Sequence, residues 1–129
     1  MTNLDSLCAQ YGYEIVHTIA PNGSLPKGDR AKLENTITKS LGVLQENGVY
    51  AFFLFLAYRH GEKGAPEVKS QALNLLRHAE VNLLSLGNDA FQAVRQLTNN
   101  LDNLLLARQL LEQTLIYARY HAKALEVTP

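Results

Sequence analysis

Residues 47–60 read NGVYAFFLFLAYRH, and this stretch decides the fold class. Its centre, Val49 to Tyr58, holds ten uncharged residues, five of them aromatic, and the charged residues Arg59 and Glu62 follow closely. A membrane-spanning helix needs about 20 apolar residues, and ten residues that rise ~1.5 Å each cover about half of the hydrocarbon layer. A membrane span is therefore excluded. The stretch is either the centre of a helical core or an apolar binding surface, and we expect the core.

Length and charge restrict the classes of protein that this chain can be. The 129 residues suffice for one domain with a real core, and twelve basic residues balance twelve acidic ones. Nucleic-acid binding through overall charge is excluded, so any such binding needs a local basic patch. The single cysteine, Cys8, excludes an internal disulfide. Because the stretch MTNLDSLCAQ lacks the basic region of a secretory signal, we expect a cytoplasmic protein.

Apolar residues recur at helical spacing on both sides of the first loop. The first helix has a stripe of residues three or four apart, namely Leu4, Leu7, Tyr11, Ile15 and Ile19. The stretch APNGSLPKG, residues 20–28, predicts a loop because it holds two Pro and two Gly. We expect Asp29 to cap a second helix, which Gly48 ends in the left-handed conformation. That helix buries Leu33, Ile37, Leu41 and Leu44.

The rest of the chain also predicts helices. The aromatic helix ends at Gly61, and because it is apolar on every side we expect neighbours all round it. After a loop at 61–65, Pro66 opens a fourth helix. Its apolar face is Val68, Ala72, Leu75, Ala79, Leu83 and Leu86, and Gly87 ends it. A short helix, 89–97, precedes a long one, 98–125. The sequence thus predicts an all-α, single-domain bundle of five to six helices over residues 1–129, with a buried central aromatic helix.

No constellation of catalytic or metal-binding residues can be identified in the sequence. Glu14 and His17 form one Glu-x-x-His pair, but di-iron bundles need two such pairs and two further carboxylates. A nucleophile elbow and a glycine-rich phosphate loop are both missing. Cys8, beside Leu7, is expected to behave as a small hydrophobe. We therefore expect a protein that is not an enzyme and that holds no cofactor or metal.

The basic residues carry more information about function. Lys32 and Lys39 are seven residues apart, on the side of the second helix away from Leu33. Several such cations on helix faces can hold a nucleic-acid backbone without reading its bases. The candidates for phosphate contact are Arg30, Lys32, Lys39, Arg59, Arg119 and Lys123. The alternative for each is a solvated surface with weak helical ion pairs, such as Arg108 with Glu112.

Three segments, taken in order, carry a resemblance to a known family. AQYGYEIV (residues 9–16) has a small residue, an aromatic, Glu and Val in succession. ITKSLGVLQENGVYAFFLFLA (37–57) is an apolar helix that ends in Asn-Gly before an aliphatic-aromatic helix. LIYARYHAKAL (115–125) mixes aromatic, basic and alanine residues. Together they resemble the small α-helical subunit of type III-B CRISPR effector complexes (the RAMP module), over most of the chain.

The resemblance implies a non-catalytic subunit that serves antiviral defence. Copies would stack along a filament of other effector subunits and contact guide or target RNA weakly, through basic faces and independently of sequence. Neighbouring subunits would meet apolar residues near Val49, Tyr50 and Tyr120. Two alternatives stay open. One is a helical adaptor that binds only protein, and the other is a small enzyme or ligand carrier whose pocket is walled by Phe52, Phe53 and Phe55.

Overall fold

The computed structural model describes residues 3–84 and 89–129 and confirms the all-α bundle. The described residues contain six helices and two three-residue strands. In chain order they are α1 (Leu4–Ile19), β1 (Ser24–Pro26), α2 (Lys27–Asn47), α3 (Val49–Tyr58), α4 (Ala65–Arg77), α5 (Ala90–Leu97), α6 (Leu101–Ala124) and β2 (Glu126–Thr128).

The long last helix organises the bundle. α6 packs mainly against α1 and α2, α4 lies against α1, and α3 packs against α2 and α4. Aliphatic and aromatic side chains from all of these helices meet in one core. The largest fully buried ones are Phe52, Phe53, Ile15, Leu33, Ile37, Leu44, Leu56, Leu75, Leu76, Leu111, Leu115 and Val16. The side-by-side placement of α1, α6 and α2 sets the positions of the surface residues considered below.

The aromatic helix α3 is buried along one side rather than all round. Phe52, Phe53 and Leu56 lie in the core, whereas Leu54 and Tyr58 are 47% and 83% exposed. The expectation that this stretch contributes to the core is confirmed, and the expectation of neighbours all round it is not met at these two positions. Among the described residues, no helix has the length and apolar character needed to cross a bilayer.

The predicted loop at 20–28 is shorter than expected and contains an unexpected strand. Residues 24–26 pair in parallel with residues 126–128, Ser24 opposite Glu126, and the pairing ties the start of α2 to the end of α6. α2 then begins at Lys27, directly after Pro26. Asp29 therefore lies inside the first turn and is not the N-cap. Proline fixes φ at a value suited to the entry of a helix, so Pro26 takes the capping position without a side-chain hydrogen bond.

The glycine at the α2–α3 junction was predicted in part. Gly48 has a positive φ of 94°, as a glycine at the end of a helix often has. Its ψ of −175° is extended rather than left-handed helical, so α3 starts at the next residue. The junction thus turns the chain sharply, and α3 packs back against α2.

The fourth helix ends earlier than the sequence predicts. The backbone of His78 leaves the helix with ψ of 139°, and the amides of Leu83 and Leu84 donate to the carbonyl of Leu76. This reversal buries Leu84 and leaves Ala79 exposed. The apolar spacing that suggested a longer helix therefore comes from a turn. The predicted end at Leu86 and Gly87 lies outside the described residues.

The two C-terminal helices begin at polar caps. Asp89 accepts hydrogen bonds from the amides of Phe91 and Gln92, which confirms a helix start at this point. The last helix begins at Leu101 rather than Thr98, because Asn100 caps it by accepting from the amide of Asn103. A short turn at 98–100 therefore separates α5 from α6.

Candidate nucleic-acid interface

α2 and α6 run side by side and leave a surface groove of about 570 Å³ between them. Three cations line it: Lys32 from α2, and Arg119 and Lys123 from α6. The two α6 residues are four apart, so they share one side of that helix. The polar residues Asn35 and Thr38 also line the groove. We call this the α2–α6 groove.

A second depression, of about 740 Å³, also lies against α2. It is bounded by α2, by the connection between α3 and α4, and by the first turn of α4, and we call it the α2–α4 cleft. Lys32 and Lys39 line it from α2, and His60 and Lys63 line it from the connection. Its remaining lining residues are Ile19, Asn35, Thr36, Gly61, Glu62, Gly64, Pro66 and Glu67.

The groove and the cleft adjoin, since Lys32 and Asn35 line both. The cations that line these adjoining depressions come from three segments that are distant in sequence. We define the basic strip as Lys32, Lys39, Lys63, Arg119 and Lys123. Within the described part of the chain, Lys32, Lys39 and Lys63 have no carboxylate at ion-pairing distance.

Three carboxylates lie along the same two depressions. Glu34 is 4.0 Å from the ammonium of Lys123, a long and exposed pair that leaves most of the charge of Lys123 available. Glu62 accepts a 2.6 Å hydrogen bond from Arg59, so a cation outside the strip neutralises it. Glu67 also lines the cleft. The two depressions thus have more positive than negative charge, in a chain whose total charges balance.

The six predicted phosphate-contact residues divide into two groups. Lys32, Lys39, Arg119 and Lys123 come together in the basic strip. Arg30 lines neither depression and donates from Nη1 to the carbonyl oxygen of Leu125 at 3.0 Å. Arg59 lies between its partner Glu62 and the rings of Phe55 and Tyr58. Lys63 and His60 were not among the predicted residues.

Arg108 forms the helical ion pair with Glu112 that the alternative interpretation predicted. Its Nε donates to Glu112 at 3.1 Å, one turn along α6, and Nη2 donates to the carbonyl of Gln45. The guanidinium therefore ties α6 to the end of α2. The predicted ion pair is confirmed, and its contribution to stability is small because both side chains are partly exposed.

A cluster of three aromatic rings lies where α1 meets α6. Tyr13 stacks on His17 with ring centroids 4.0 Å apart and planes 15° apart. The ring of His121, from α6, is nearly perpendicular to both. Burial, and next the charge of His17, lower the pKa of His121. We call these three residues the aromatic cluster. Sequence reasoning missed it, although the i, i+4 spacing of Tyr13 and His17 was visible.

Several side chains named in the remaining expectations are buried. Phe52 and Phe53 pack edge to face at 5.0 Å in the core, so neither faces the groove or the cleft. Val49 is also buried, so its own side chain offers no surface to a neighbouring subunit. Burial raises the pKa of the Cys8 thiol, which donates to the carbonyl of Leu110. Among the described residues, no group of three or more His, Cys, Asp or Glu could hold a metal ion.

Comparison with protein-family models, curated proteins and solved structures gives no significant match to this chain.

Proposed function

We propose that this protein is a non-catalytic subunit that holds single-stranded RNA by its phosphate backbone, within a type III CRISPR effector complex. The observation that carries the proposal is the basic strip. Cations from α2, α6 and the α3–α4 connection gather there, although the chain as a whole is neutral. The type of complex is inferred from the resemblance of three sequence segments to the small subunit of those complexes.

The chemistry of the strip favours a backbone ligand over a base-specific one. Lysine is a point charge on a flexible stem, and four of the five strip residues are lysines. Such side chains neutralise phosphates and release counterions, but they carry little of the donor and acceptor pattern that identifies bases. The binding should therefore be weak, sensitive to salt and independent of sequence, at about micromolar Kd or poorer for the isolated chain.

The first test is a pair of charge reversals on α2. Because Lys32 and Lys39 supply two of the five strip cations, Lys32→Glu with Lys39→Glu should abolish measurable binding of labelled single-stranded RNA in fluorescence anisotropy. For the wild type, each phosphate contact contributes about −0.7 to the slope of log K against log salt, so five contacts limit the slope to about −3.5.

The control is a second double reversal with the same change in net charge. Lys69→Glu with Arg95→Glu alters cations that line neither the groove nor the cleft. This variant should bind RNA within about twofold of the wild type, since binding depends on where the charges lie. Equal loss of binding in both double variants, or wild-type binding that ignores salt, would exclude the basic strip as the RNA site.

A protein-binding adaptor is the second candidate function. Leu101 and Leu105, one turn apart at the start of α6, are 67% and 54% exposed, and exposed apolar residues of this kind suit a protein partner. Co-purification of the protein from its native host distinguishes the two functions. A complex that contains guide RNA supports the proposed function, and a protein partner with neither RNA nor RNA binding by the isolated chain supports the adaptor.

A further inference from the structure

We infer that the aromatic cluster is a stacking platform for an RNA base, and this inference rests on the proposed function. The platform would add base contacts to the phosphate contacts of the basic strip. Single-stranded nucleic acids are commonly held in this combined way, with cations along the backbone and aromatic rings under the bases, and such stacking tolerates any sequence.

The geometry of the three rings leaves one face of Tyr13 uncovered by the other two. His17 covers one face of Tyr13, since the two planes are nearly parallel at 4.0 Å. The ring of His121 lies 5.6 Å from Tyr13 and 6.0 Å from His17, and it is nearly perpendicular to both. A ring that is about equally far from both members lies beside the stack and not over its end. Tyr13 is 46% exposed, which agrees with an open outer face.

The two histidines hold Tyr13 in place for this task. His17 is one helical turn along α1 from Tyr13, and His121 reaches it from α6, so the ring is supported from two helices. A ring that is already fixed loses little conformational entropy when a base stacks on it. Burial, and next the charge of His17, lower the pKa of His121, which favours its neutral imidazole.

Helix geometry places the cluster and the basic strip on different sides of α6, with one exposed aromatic residue between them. At about 100° per residue, Arg119 and Lys123 lie within about 40° of each other around the helix. Tyr120 follows about 60° beyond Lys123, and His121 about 100° beyond Tyr120. Tyr120 is 61% exposed, and the guanidinium of Arg119 lies 5.9 Å from its ring centroid. An exposed aromatic residue thus lies between the cations on the α2 side and the rings on the α1 side.

The test compares RNA with a polymer that has the same backbone charge and no bases. A short oligoadenylate and an abasic ribose–phosphate chain of equal length are each titrated with the full-length protein. Stacking of one base predicts that oligoadenylate binds at least about fivefold more tightly. Tyr13→Ala should reduce oligoadenylate binding to the abasic level and leave abasic binding and its salt dependence unchanged. Tyr13→Phe should keep the preference, since phenylalanine stacks equally well.

Tyr58→Ala is the matched control, because Tyr58 is an exposed tyrosine on a different helix and lines neither depression. It should keep the preference for oligoadenylate. Equal binding of the two polymers by the wild type, or an equal loss of both in Tyr13→Ala, would overturn the platform while the proposed function stands. No binding of either polymer would overturn the proposed function, and the platform with it.

A second measurement on the wild type covers the case in which Tyr13→Ala does not fold. The ring protons of His17 and His121 can be followed by NMR, and a base stacked on the cluster would shift their signals upfield through its ring current. Oligoadenylate should therefore shift these signals, and the abasic polymer should not. Signals that respond to neither polymer, or to both alike, would overturn the platform.

Discussion

Gly12 lies where α1 meets the backbone of α6, and the close approach of these helices depends on its missing side chain. A Cβ at this position would come within 2.8 Å of the carbonyl oxygen of Thr114 and 2.9 Å of the Cβ of Tyr117. Gly42 offers a comparison, because it also lies inside a helix and a Cβ there would meet nothing within 4 Å.

Gly12→Ala should lower the free energy of unfolding by about 1–2 kcal/mol, measured by urea titration with circular dichroism. Overpacking typically costs about 1–3 kcal/mol, and the better helix propensity of alanine offsets up to about 1 kcal/mol of this. Gly42→Ala should instead raise the free energy of unfolding by about 0.5–1 kcal/mol. A Gly12→Ala protein as stable as Gly42→Ala would show that the helices do not meet as described.

Among single residues with a local role, Asp89 and Gly48 were predictable as element ends, whereas Asp29 was wrongly expected to cap α2. Asp89 marks a helix start because its carboxylate accepts amides only two and three residues ahead. Gly48 marks a break because few other residues adopt its positive φ. Arg30 shows the limit of such reasoning. Its guanidinium reaches the carbonyl of Leu125, 95 residues away, and nothing in the local sequence indicates that bond.

At the scale of elements, the contact between α1 and α6 should make stability depend on pH. Burial, with the charge of His17, lowers the pKa of His121 from its ordinary value of 6.5. The unfolded chain then binds a proton more readily than the folded one, so stability rises with pH in this range. The contribution of His121 is fully present above about pH 6.5 and is lost as pH falls toward the lower folded pKa.

Thermal unfolding of the wild type and His121→Gln between pH 5 and 8 tests this prediction. The wild type should lose stability below about pH 6.5, and His121→Gln should show a flatter profile, because glutamine has no proton to gain. His60→Gln serves as the control, since His60 is exposed, and its profile should follow the wild type. A His121→Gln profile as steep as that of the wild type would contradict the assignment.

Whole elements were predictable where the apolar period was long and the ends were marked. α1 has that period without interruption, and its described bounds, Leu4–Ile19, match the predicted stripe. α4 was predicted too long because the apolar spacing continues through Leu83, while the chain turns back at His78. β1 and β2 were missed because three residues are too few for a period, and their pairing joins segments about 100 residues apart in sequence.

At the scale of the whole molecule, the fold assembles the candidate site from distant segments. Lys32 and Lys39 were predictable because their spacing places them on one side of α2. The sequence could not show that Arg119 and Lys123 would join them, since this requires α6 to lie beside α2. Lys63 was missed as a strip residue for the same reason. The aromatic cluster likewise depends on the meeting of α1 and α6.

The site of RNA contact can be located directly by NMR, because a chain of 14.3 kDa gives resolved amide spectra. Single-stranded RNA added at low salt should shift the amide signals of residues 32–39, 60–64 and 119–123, and added salt should reverse the shifts. Shifts confined to α5 or to the exposed side of α3, or no shifts at low salt, would contradict a basic strip that holds the RNA backbone.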